Sequence, residues 1–265
     1  MRVALVAHRP VLGSVKDNLA HVLDVVRRED ADLVAFPEMY LSGYGLRDGI
    51  PLAAAETAEA VRAIRDAARA KDMTVVVGGP REGRARGVVH NAAYIIGPGL
   101  EGAYDKVYLP TFSVFEEGHW FREGSTLPVF ETPHGRVGLA ICYDLFFPEV
   151  TKTLAMSGAD IIVCISASPV TSKRYFEAVM PARAIETTAF LLYTNIAGFQ
   201  DTIPFWGGAQ AWGPKGDLKA RLPDDEPGIL RLEIDLAEVR EARAKRPALR
   251  DTRPEILRAL LEAGR

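Results

Sequence analysis

A cysteine at the end of an apolar run is the first candidate for chemistry in this chain. Cys142 follows the run 137–141 and precedes a turn and a helical stretch that begins at Pro148. A turn and a helix start present backbone N–H groups and favour negative charge, so this setting suits a nucleophilic thiolate. The alternative is that Cys142 is a small apolar residue packed at a strand end. Local context alone leaves both interpretations open.

Cys164 is the second of the two cysteines and gives a comparison. It lies inside the apolar run 161–165, with no turn beside it. Cysteines in such runs are usually packed in a core. We therefore expect Cys164 to be structural, which leaves Cys142 as the candidate nucleophile.

A glutamate is the best candidate for the base that a thiol needs. Glu38 follows the strand-like run 33–36 and Pro37, with aromatic residues around it. Partial burial raises the pKa of a carboxyl towards a value useful in proton transfer. The alternative is a solvated carboxylate in a loop. The five histidines stand in no comparable setting, so nothing favours a Cys–His mechanism, although that alternative stays open.

Lys106 is the third candidate, because it stands between aromatic residues at the end of a predicted strand. An ammonium group there can pair with a carboxylate and stabilise a developing oxyanion. The alternative is a lysine on an edge strand, where it would discourage aggregation.

The composition limits the classes of protein that fit. The 265 residues are 48% hydrophobic and 25% charged, as in ordinary globular domains, which argues against intrinsic disorder. A net charge of -3 offers no basic surface for nucleic acid. Two cysteines exclude a disulfide scaffold, and no CxxC or HxxxH spacing predicts a metal site. No apolar run approaches the roughly 20 residues of a membrane span and no cleavable leader is evident, so we expect a cytoplasmic protein.

Apolar runs rich in β-branched residues alternate with helical patterns along the chain. The first half runs strand, helix, strand, helix, strand, and the second half has a similar order. This alternation predicts an α/β protein, and three hairpins at turns rich in Gly and Pro add antiparallel strands. No linker divides the chain, so we predict one domain. The predicted helices cover 15–28, 57–71, 148–156, 173–187 and 236–245.

Taken together, the candidate residues and their order point to a family. The chain resembles the nitrilase superfamily of carbon–nitrogen hydrolases in the windows around Glu38, Lys106 and Cys142. Further matches are the stretch 90–93 before the lysine and the stretch 115–121 after it. The resemblance implies an α/β fold, a four-layer α-β-β-α sandwich, and a Glu–Lys–Cys catalytic triad.

The resemblance also implies a mechanism. Glu38 takes the thiol proton of Cys142, and the thiolate attacks an amide carbonyl. Lys106 and the backbone N–H of Tyr143 stabilise the oxyanion. Ammonia or an amine leaves, and a water activated by Glu38 or by Glu117, the implied second active-site glutamate, hydrolyses the thioester. This mechanism uses no metal and no organic cofactor.

The branch of the family is read from the residues after the cysteine. True nitrilases usually show Cys-Trp-Glu, whereas this chain has Cys-Tyr-Asp at 142–144, followed by Phe-Pro-Glu at 147–149. That pattern resembles the amidase branches, which predicts hydrolysis of a small linear amide to a carboxylic acid and ammonia. Nitrilase or N-carbamoyl amide hydrolase activity is the alternative. The stretch 195–208 also resembles the glutamine-hydrolysing domain of some NAD synthetases. A catalytically silent assembly or interaction protein is an alternative of a second class.

Substrate contacts are predicted from aromatic and basic residues near the candidate site. Tyr40, Phe146 and Trp206 are expected to line an apolar pocket. Lys173 and Arg174 follow a predicted strand, where they could meet a substrate carboxylate.

The resemblance covers about residues 1–245, which we predict to form one carbon–nitrogen hydrolase domain. It leaves 246–265 as a charged C-terminal extension. Family members usually pair through helices near the nucleophile, so we expect a homodimer or a larger homo-oligomer, with the extension at its interface. The other expected partners are a small amide substrate and water, and neither nucleic acid nor a membrane.

Overall fold

A computed structural model describes residues 1–263 of the chain. Its strands are β1 Arg2–Ala7, β2 Leu33–Ala35, β3 Thr74–Glu82, β4 Val89–Gly97, β5 Leu100–Asp105, β6 Val129–Thr132, β7 Gly135–Ile141, β8 Ile161–Ser166, β9 Phe190–Asn195, β10 Ala197–Gln200, β11 Ile203–Trp206, β12 Gln210–Trp212, β13 Leu218–Arg221 and β14 Gly228–Glu233. Strands β1 to β5 and β14 form a first six-stranded sheet. Strands β6 to β9, β12 and β13 form a second, and β10 pairs with β11 in a separate hairpin.

Helices cover the outer faces of the two sheets. The helices of the described residues are α1 Val15–Arg28, α2 Ile50–Lys71, α3 Glu117–Trp120, α4 Pro148–Met156, α5 Lys173–Thr187, α6 Ala237–Lys245 and α7 Pro254–Ala263. The pair α1 and α2 packs on the first sheet, and the pair α4 and α5 packs on the second. The order of layers is therefore helix, sheet, sheet, helix.

Strand β1 shows why this sequence builds four layers. Val3 and Leu5 lie in the core shared by the two sheets, whereas Ala4 and Val6 lie in the core beneath α1 and α2. Successive side chains of a strand point to opposite faces, so both faces of this strand are buried. A sheet that is covered on both faces needs unbroken apolar strands, which is the pattern of the sequence here.

The two sheets share one arrangement. The first has the order β14-β1-β2-β3-β4-β5, and the second has the order β6-β7-β8-β9-β12-β13. In both, the first neighbouring pair is antiparallel, the next two are parallel and the last two are antiparallel. Parallel strands that share an edge bring their following loops together, and ligands usually bind at such edges.

The predicted α/β four-layer sandwich is confirmed. The predicted bounds of α1, α4 and α5 are those of the structure. Helix α2 begins at Ile50, well before the predicted start at Thr57, because a 3-10 turn over Arg47–Gly49 leads into it and Pro51 occupies its first turn. The hairpin of β10 and β11 and the helices α3 and α7 were not predicted.

The C-terminal extension predicted over 246–265 contains α7, and residues 264 and 265 of it lie outside the described residues. Within residues 1–263, every helix is too short or too polar to cross a bilayer.

Candidate active site

A lysine bridged by two carboxylates lies directly after β5 of the first sheet. The Lys106 Nζ atom lies 2.7 Å from Glu38 Oε1 and 2.7 Å from Glu117 Oε1. The three residues are fully or almost fully buried. Charged groups this deep in a protein are stable only when they are paired, and the pairing here leaves one negative charge in excess when both carboxyls are ionised.

Glu38 is placed by the loop that follows β2. Its Oε2 atom accepts a hydrogen bond of 2.7 Å from the backbone N–H of Ala167, which follows β8 in the second sheet. Asn91 on β4 donates to Oε1 at 2.7 Å. The backbone of residues 37–39 passes so close to Gly78 that a Cβ atom there would lie 2.4 Å from the Met39 nitrogen. Glu38 is therefore held by both sheets.

Lys106 is placed directly after β5. Its backbone N–H donates to the carbonyl of Asn91, and its own carbonyl accepts from Gly124. A Cβ atom at Gly124 would lie 2.1 Å from the carbonyl oxygen of Asp105, so only glycine allows this approach. These contacts fix the start of the lysine side chain where it can reach the two carboxylates.

Cys142 follows β7 and begins a 3-10 turn over Cys142–Phe146. Its φ of 47° lies in the left-handed region, which is unfavourable for residues other than glycine and is common at functional turns. Asp144 holds the turn, because its carboxylate accepts from the backbone N–H of Ile141 at 3.0 Å and of Tyr108 at 2.9 Å. Tyr104 also donates to it at 2.7 Å. The turn exposes 5% of Cys142 beside the charged centre.

The electrostatics of the centre assign a resting protonation state. Burial raises the pKa of Glu117 to about 7, and the Glu38 carboxylate adds to this, while Lys106 opposes it. Burial alone would lower the pKa of Lys106, but the carboxylates of Glu117 and Glu38 outweigh it and raise that pKa, so Lys106 stays an ammonium. Burial, and then the Glu38 carboxylate, raise the pKa of the Cys142 thiol. The thiol is therefore the resting form and needs a base.

A cavity of about 330 Å³ opens beside Cys142. Its wall is mostly aromatic, and it is lined by Pro110, Phe112, Phe115, Cys142, Tyr143, Phe146, Ser168, Ser172, Tyr175 and Phe176. Of the candidate catalytic residues, Cys142 lines this cavity, whereas Glu38, Lys106 and Glu117 lie outside its lining. Among the described residues, no cluster of three His, Cys, Asp or Glu side chains could hold a metal ion.

A family model confirms what this geometry indicates. The model named carbon-nitrogen hydrolase matches residues 2–244. The chain belongs to the carbon–nitrogen hydrolase family. It is 34% identical over 250 residues to the glutamine-dependent NAD(+) synthetase of Aquifex aeolicus, a match that covers 91% of this hydrolase and 43% of the synthetase. The hydrolase thus spans less than half of that relative.

Two further relatives match over nearly their whole length. A probable nitrilase of Schizosaccharomyces pombe is 29% identical over 270 residues, with 98% of each chain covered. The solved structure of an amidase from Nesterenkonia sp. AN1, a glutamate-to-glutamine mutant, has a TM-score of 0.85 and 27% identity, and covers 98% of the hydrolase and 99% of the amidase. In that structure acrylamide has added to the active-site cysteine.

Tyr40, predicted to line the pocket, is placed elsewhere in the hydrolase. Its ring packs against Phe36, with 5.3 Å between ring centroids, in the core beneath α1 and α2. Its hydroxyl lies 2.7 Å from His21 Nδ1 and 3.1 Å from His8 Nδ1. Met39 adopts a φ of 52°, which ends the alternation of the strand and turns Tyr40 to the helix side. The prediction for Tyr40 is therefore corrected.

Trp206 lies behind the pocket wall, and Phe146 forms part of that wall. The Trp206 ring stacks on Tyr193, and its Nε1–H donates to the hydroxyl of Ser168 at 3.1 Å. Trp206 is only 1% exposed and is not among the residues that line the cavity, so the structure does not place it against a substrate there. The unpredicted hairpin of β10 and β11 is the reason, because it folds Trp206 inward.

The two basic residues predicted to meet a substrate carboxylate are already engaged. Lys173 pairs with Asp224 at 2.5 Å and with Glu177 at 3.7 Å. The Arg174 guanidinium lies over the ring of Tyr175, with its Cζ atom 4.6 Å from the ring centroid.

Asn91 and Tyr44 belong to the centre but were not predicted as site residues. Asn91 lies in the buried strand β4, and Tyr44 donates to Glu117 Oε1 at 2.7 Å. An amide inside an apolar run is the signal that could have found Asn91, because a buried amide needs hydrogen-bond partners. Tyr44 has no such signal, because its loop carries no periodic pattern.

Proposed function

We propose that the protein hydrolyses the carbon–nitrogen bond of a small amide to a carboxylic acid and ammonia, through a thioester on Cys142. The observation that carries the proposal is the buried Lys106, bridged by Glu38 and Glu117 beside a thiol in a strained turn. Acrylamide on the active-site cysteine of the Nesterenkonia amidase supports a nucleophilic role for the family's cysteine.

Acylation begins with a proton transfer. Glu38 takes the proton from Cys142 Sγ, and the thiolate forms a bond to the amide carbonyl carbon. The carbonyl electron pair moves to oxygen, where the Lys106 ammonium and the Tyr143 N–H stabilise the oxyanion. When the oxyanion collapses, the C–N bond breaks and Glu38 returns its proton to the nitrogen. Ammonia leaves, and the thioester remains.

Deacylation reverses these roles with water as the nucleophile. Glu38 takes a proton from the water while the water oxygen attacks the thioester carbonyl. The C–S bond then breaks, the thiolate recovers the proton, and the carboxylic acid leaves. The same charged centre serves both half-reactions, and no group outside the chain supplies electrons or a metal in this scheme.

Glu117 suits a supporting role in this scheme. It accepts from Tyr44 and from Lys106 through the same oxygen, and a weaker bond of 3.3 Å joins its other oxygen to Asn91. A glutamate so held fixes the position of the ammonium. With its pKa near 7 it also holds a proton through part of the physiological range.

Two relatives name alternative reactions. The glutamine-dependent NAD(+) synthetase of Aquifex aeolicus supports hydrolysis of glutamine by this site, and the probable nitrilase of Schizosaccharomyces pombe supports a nitrile. The protein could also be catalytically silent, although the intact charged centre argues against this.

Ammonia release decides between these readings. The full chain is incubated with primary amides, glutamine, N-carbamoyl amino acids and nitriles, and the Cys142→Ala variant is run beside it. We expect the wild type to release ammonia from amides and the Cys142→Ala variant to release none. Release from nitriles alone would make the protein a nitrilase, and no release from any compound would support the silent alternative.

A further inference from the structure

The wall around Cys142 carries aromatic rings where a substrate's acyl group would lie. Six of the residues that line the cavity are aromatic, namely Phe112, Phe115, Tyr143, Phe146, Tyr175 and Phe176. The polar groups of the lining are the Cys142 thiol and the hydroxyls of Tyr143, Tyr175, Ser168 and Ser172, and no described lining residue has a side chain that is charged at neutral pH. This wall suits an apolar acyl group and offers little to a charged one.

We infer that the acyl part of the substrate is uncharged and apolar, an aryl or alkyl group, and that glutamine and other amides with a carboxylate are poor substrates. This inference rests on the proposed amide hydrolysis and names its substrate class. It concerns the pocket rather than the reaction.

The rings are arranged to receive another ring. Phe146 and Phe176 meet edge to face, with centroids 4.9 Å apart and an interplanar angle of 82°. Phe112 meets Tyr143 at 5.3 Å and 61°. Aromatic pairs favour such tilted contacts, so an aryl group entering the pocket would find both ring faces and ring edges. The cavity of about 330 Å³ exceeds the roughly 150 Å³ that holds a benzene molecule in a protein core.

Three cations near the pocket are paired with acidic side chains, and a fourth, the exposed Arg174, stacks on Tyr175 instead. Arg183, 9% exposed, donates to the carbonyls of Leu145 and Phe146 and pairs with Glu186. Lys106 lies between its two carboxylates, and Lys173 pairs with Asp224. A substrate carboxylate buried in this pocket would lose its hydration without meeting a cation among the lining residues, which is strongly unfavourable.

Ser168 provides a fixed polar point in the apolar wall. Its backbone N–H donates to Asn195 Oδ1 at 2.7 Å, and its carbonyl accepts from Asn195 Nδ2 at 3.1 Å. Its hydroxyl oxygen accepts from Trp206, and its side chain is fully buried. A wall with so few polar groups suits an uncharged acyl group, whereas an α-amino acid group would need several charged partners.

The test measures kcat/KM for acetamide, phenylacetamide, glutamine and succinamic acid. We expect phenylacetamide to exceed acetamide at least about tenfold, because its ring is buried on binding. We expect it to exceed glutamine and succinamic acid about a hundredfold or more, because their carboxylates lose water without a partner. Glutamine or succinamic acid hydrolysed as fast as phenylacetamide would overturn the inference and leave the proposed reaction intact.

A matched pair of variants tests the wall itself. Phe112 is 50% exposed, so Phe112→Ala should fold, and we expect the ratio of kcat/KM for phenylacetamide to that for acetamide to fall about tenfold. Phe199, 62% exposed, lies outside the lining, and Phe199→Ala should leave that ratio unchanged. An unchanged ratio in Phe112→Ala would contradict the assigned wall.

Binding to the Cys142→Ala variant separates the two proposals. Calorimetry should show phenylacetamide binding more tightly than glutamine even without turnover. If neither amide is hydrolysed by the wild type but this binding order holds, the amidase proposal fails and the pocket's preference stands. If glutamine binds more tightly, the inference fails.

Discussion

The two sheets share one pattern of parallel and antiparallel strand pairs, but the loops that follow their strands carry different chemistry. In the first, the loop after β2 carries Glu38, and β5 is followed by Lys106. In the second, β7 is followed by Cys142, and β8 by the backbone N–H of Ala167 that holds Glu38. The strand of the first sheet that corresponds to β7 is β1, and it is followed by His8, which bonds to Tyr40.

This difference shows that similar topology does not place similar chemistry. The first sheet supplies the groups that move protons and hold charge, and the second supplies a nucleophile in a strained turn. Because Glu38 bonds to the second sheet, the two halves depend on each other for geometry. Changes made in one sheet at a time test whether that division holds.

The largest expected effect comes from the cysteines of the second sheet. Cys142→Ala should lower kcat for the best amide at least about 10⁴-fold, because it removes the nucleophile. Cys164→Ala, a matched change in the buried strand β8, should leave kcat within about threefold, with some loss of stability from the smaller side chain. A similar loss of kcat in both variants would contradict the assignment of Cys142 as the nucleophile and Cys164 as a packing residue.

The next effect concerns the base on the first sheet. Glu38→Gln keeps the shape but cannot take the thiol proton, so kcat should fall about 10³-fold while the fold is kept. Glu29→Gln is the control, because Glu29 is also buried but pairs with Arg231 away from the site. Steady-state kinetics with circular dichroism checks both. A wild-type rate in Glu38→Gln would remove Glu38 from the mechanism.

Neighbouring glycines test how tightly β3 presses on the Glu38 loop. A Cβ atom at Gly78 would lie 2.4 Å from the Met39 nitrogen and 2.5 Å from the Pro37 oxygen, both backbone atoms. Gly78→Ala should therefore lower the free energy of unfolding by about 1–3 kcal/mol and lower kcat as well. Gly79→Ala meets only side chains, at 3.2 Å or more, and should cost less in a urea titration. Equal costs would mean that the loop is free to move.

The smallest expected effect is a pH dependence of stability that comes from Glu117. This residue follows β5 of the first sheet in the chain. Burial raises its pKa from 4.5 to about 7 in the folded protein, so the folded state holds a proton that the unfolded chain releases. The stability that this proton provides is present below pH 4.5 and is lost as pH rises through 7.

Replacement of Glu117 by glutamine removes that titration. The free energy of unfolding of Glu117→Gln, taken relative to the wild type, should rise between pH 5 and 7.5 by on the order of 1–2 kcal/mol. Glu116→Gln, at the exposed neighbouring position, should run parallel to the wild type across the same urea titrations. A flat difference for Glu117→Gln would show that Glu117 is ionised throughout.

Most of the fold and the centre of the site followed from the sequence, for physical reasons. Strands covered on both faces must be continuously apolar, so β1, β7 and β8 were evident as runs. Glu38 and Cys142 stood out because each follows such a run, Lys106 because it stands between aromatic residues at a strand end, and the family resemblance joined them. Their close approach could not be read from the order of elements, because it depends on how the sheets stack.

Tyr40 and Trp206 were misplaced for one shared reason, which the pattern of apolar residues does not show. Tyr40 turned to the helix side at the left-handed Met39, and Trp206 folded inward with a hairpin whose Gly198 and Asp201 interrupt any apolar alternation. Single positive φ angles reverse a side chain's direction, and nothing in the spacing of apolar residues reports them.

Cys142 alone should carry the acyl group of the intermediate. The protein is mixed with p-nitrophenyl phenylacetate, whose leaving group makes acylation faster than deacylation, and acid-quenched before peptide mass spectrometry. We predict a phenylacetyl group on the peptide that contains Cys142, in the wild type and in Cys164→Ala, and its loss in Cys142→Ala. An acyl group on Cys164 would contradict the role proposed for Cys142. Continued turnover in Cys142→Ala without any acyl group on the protein would contradict it as well.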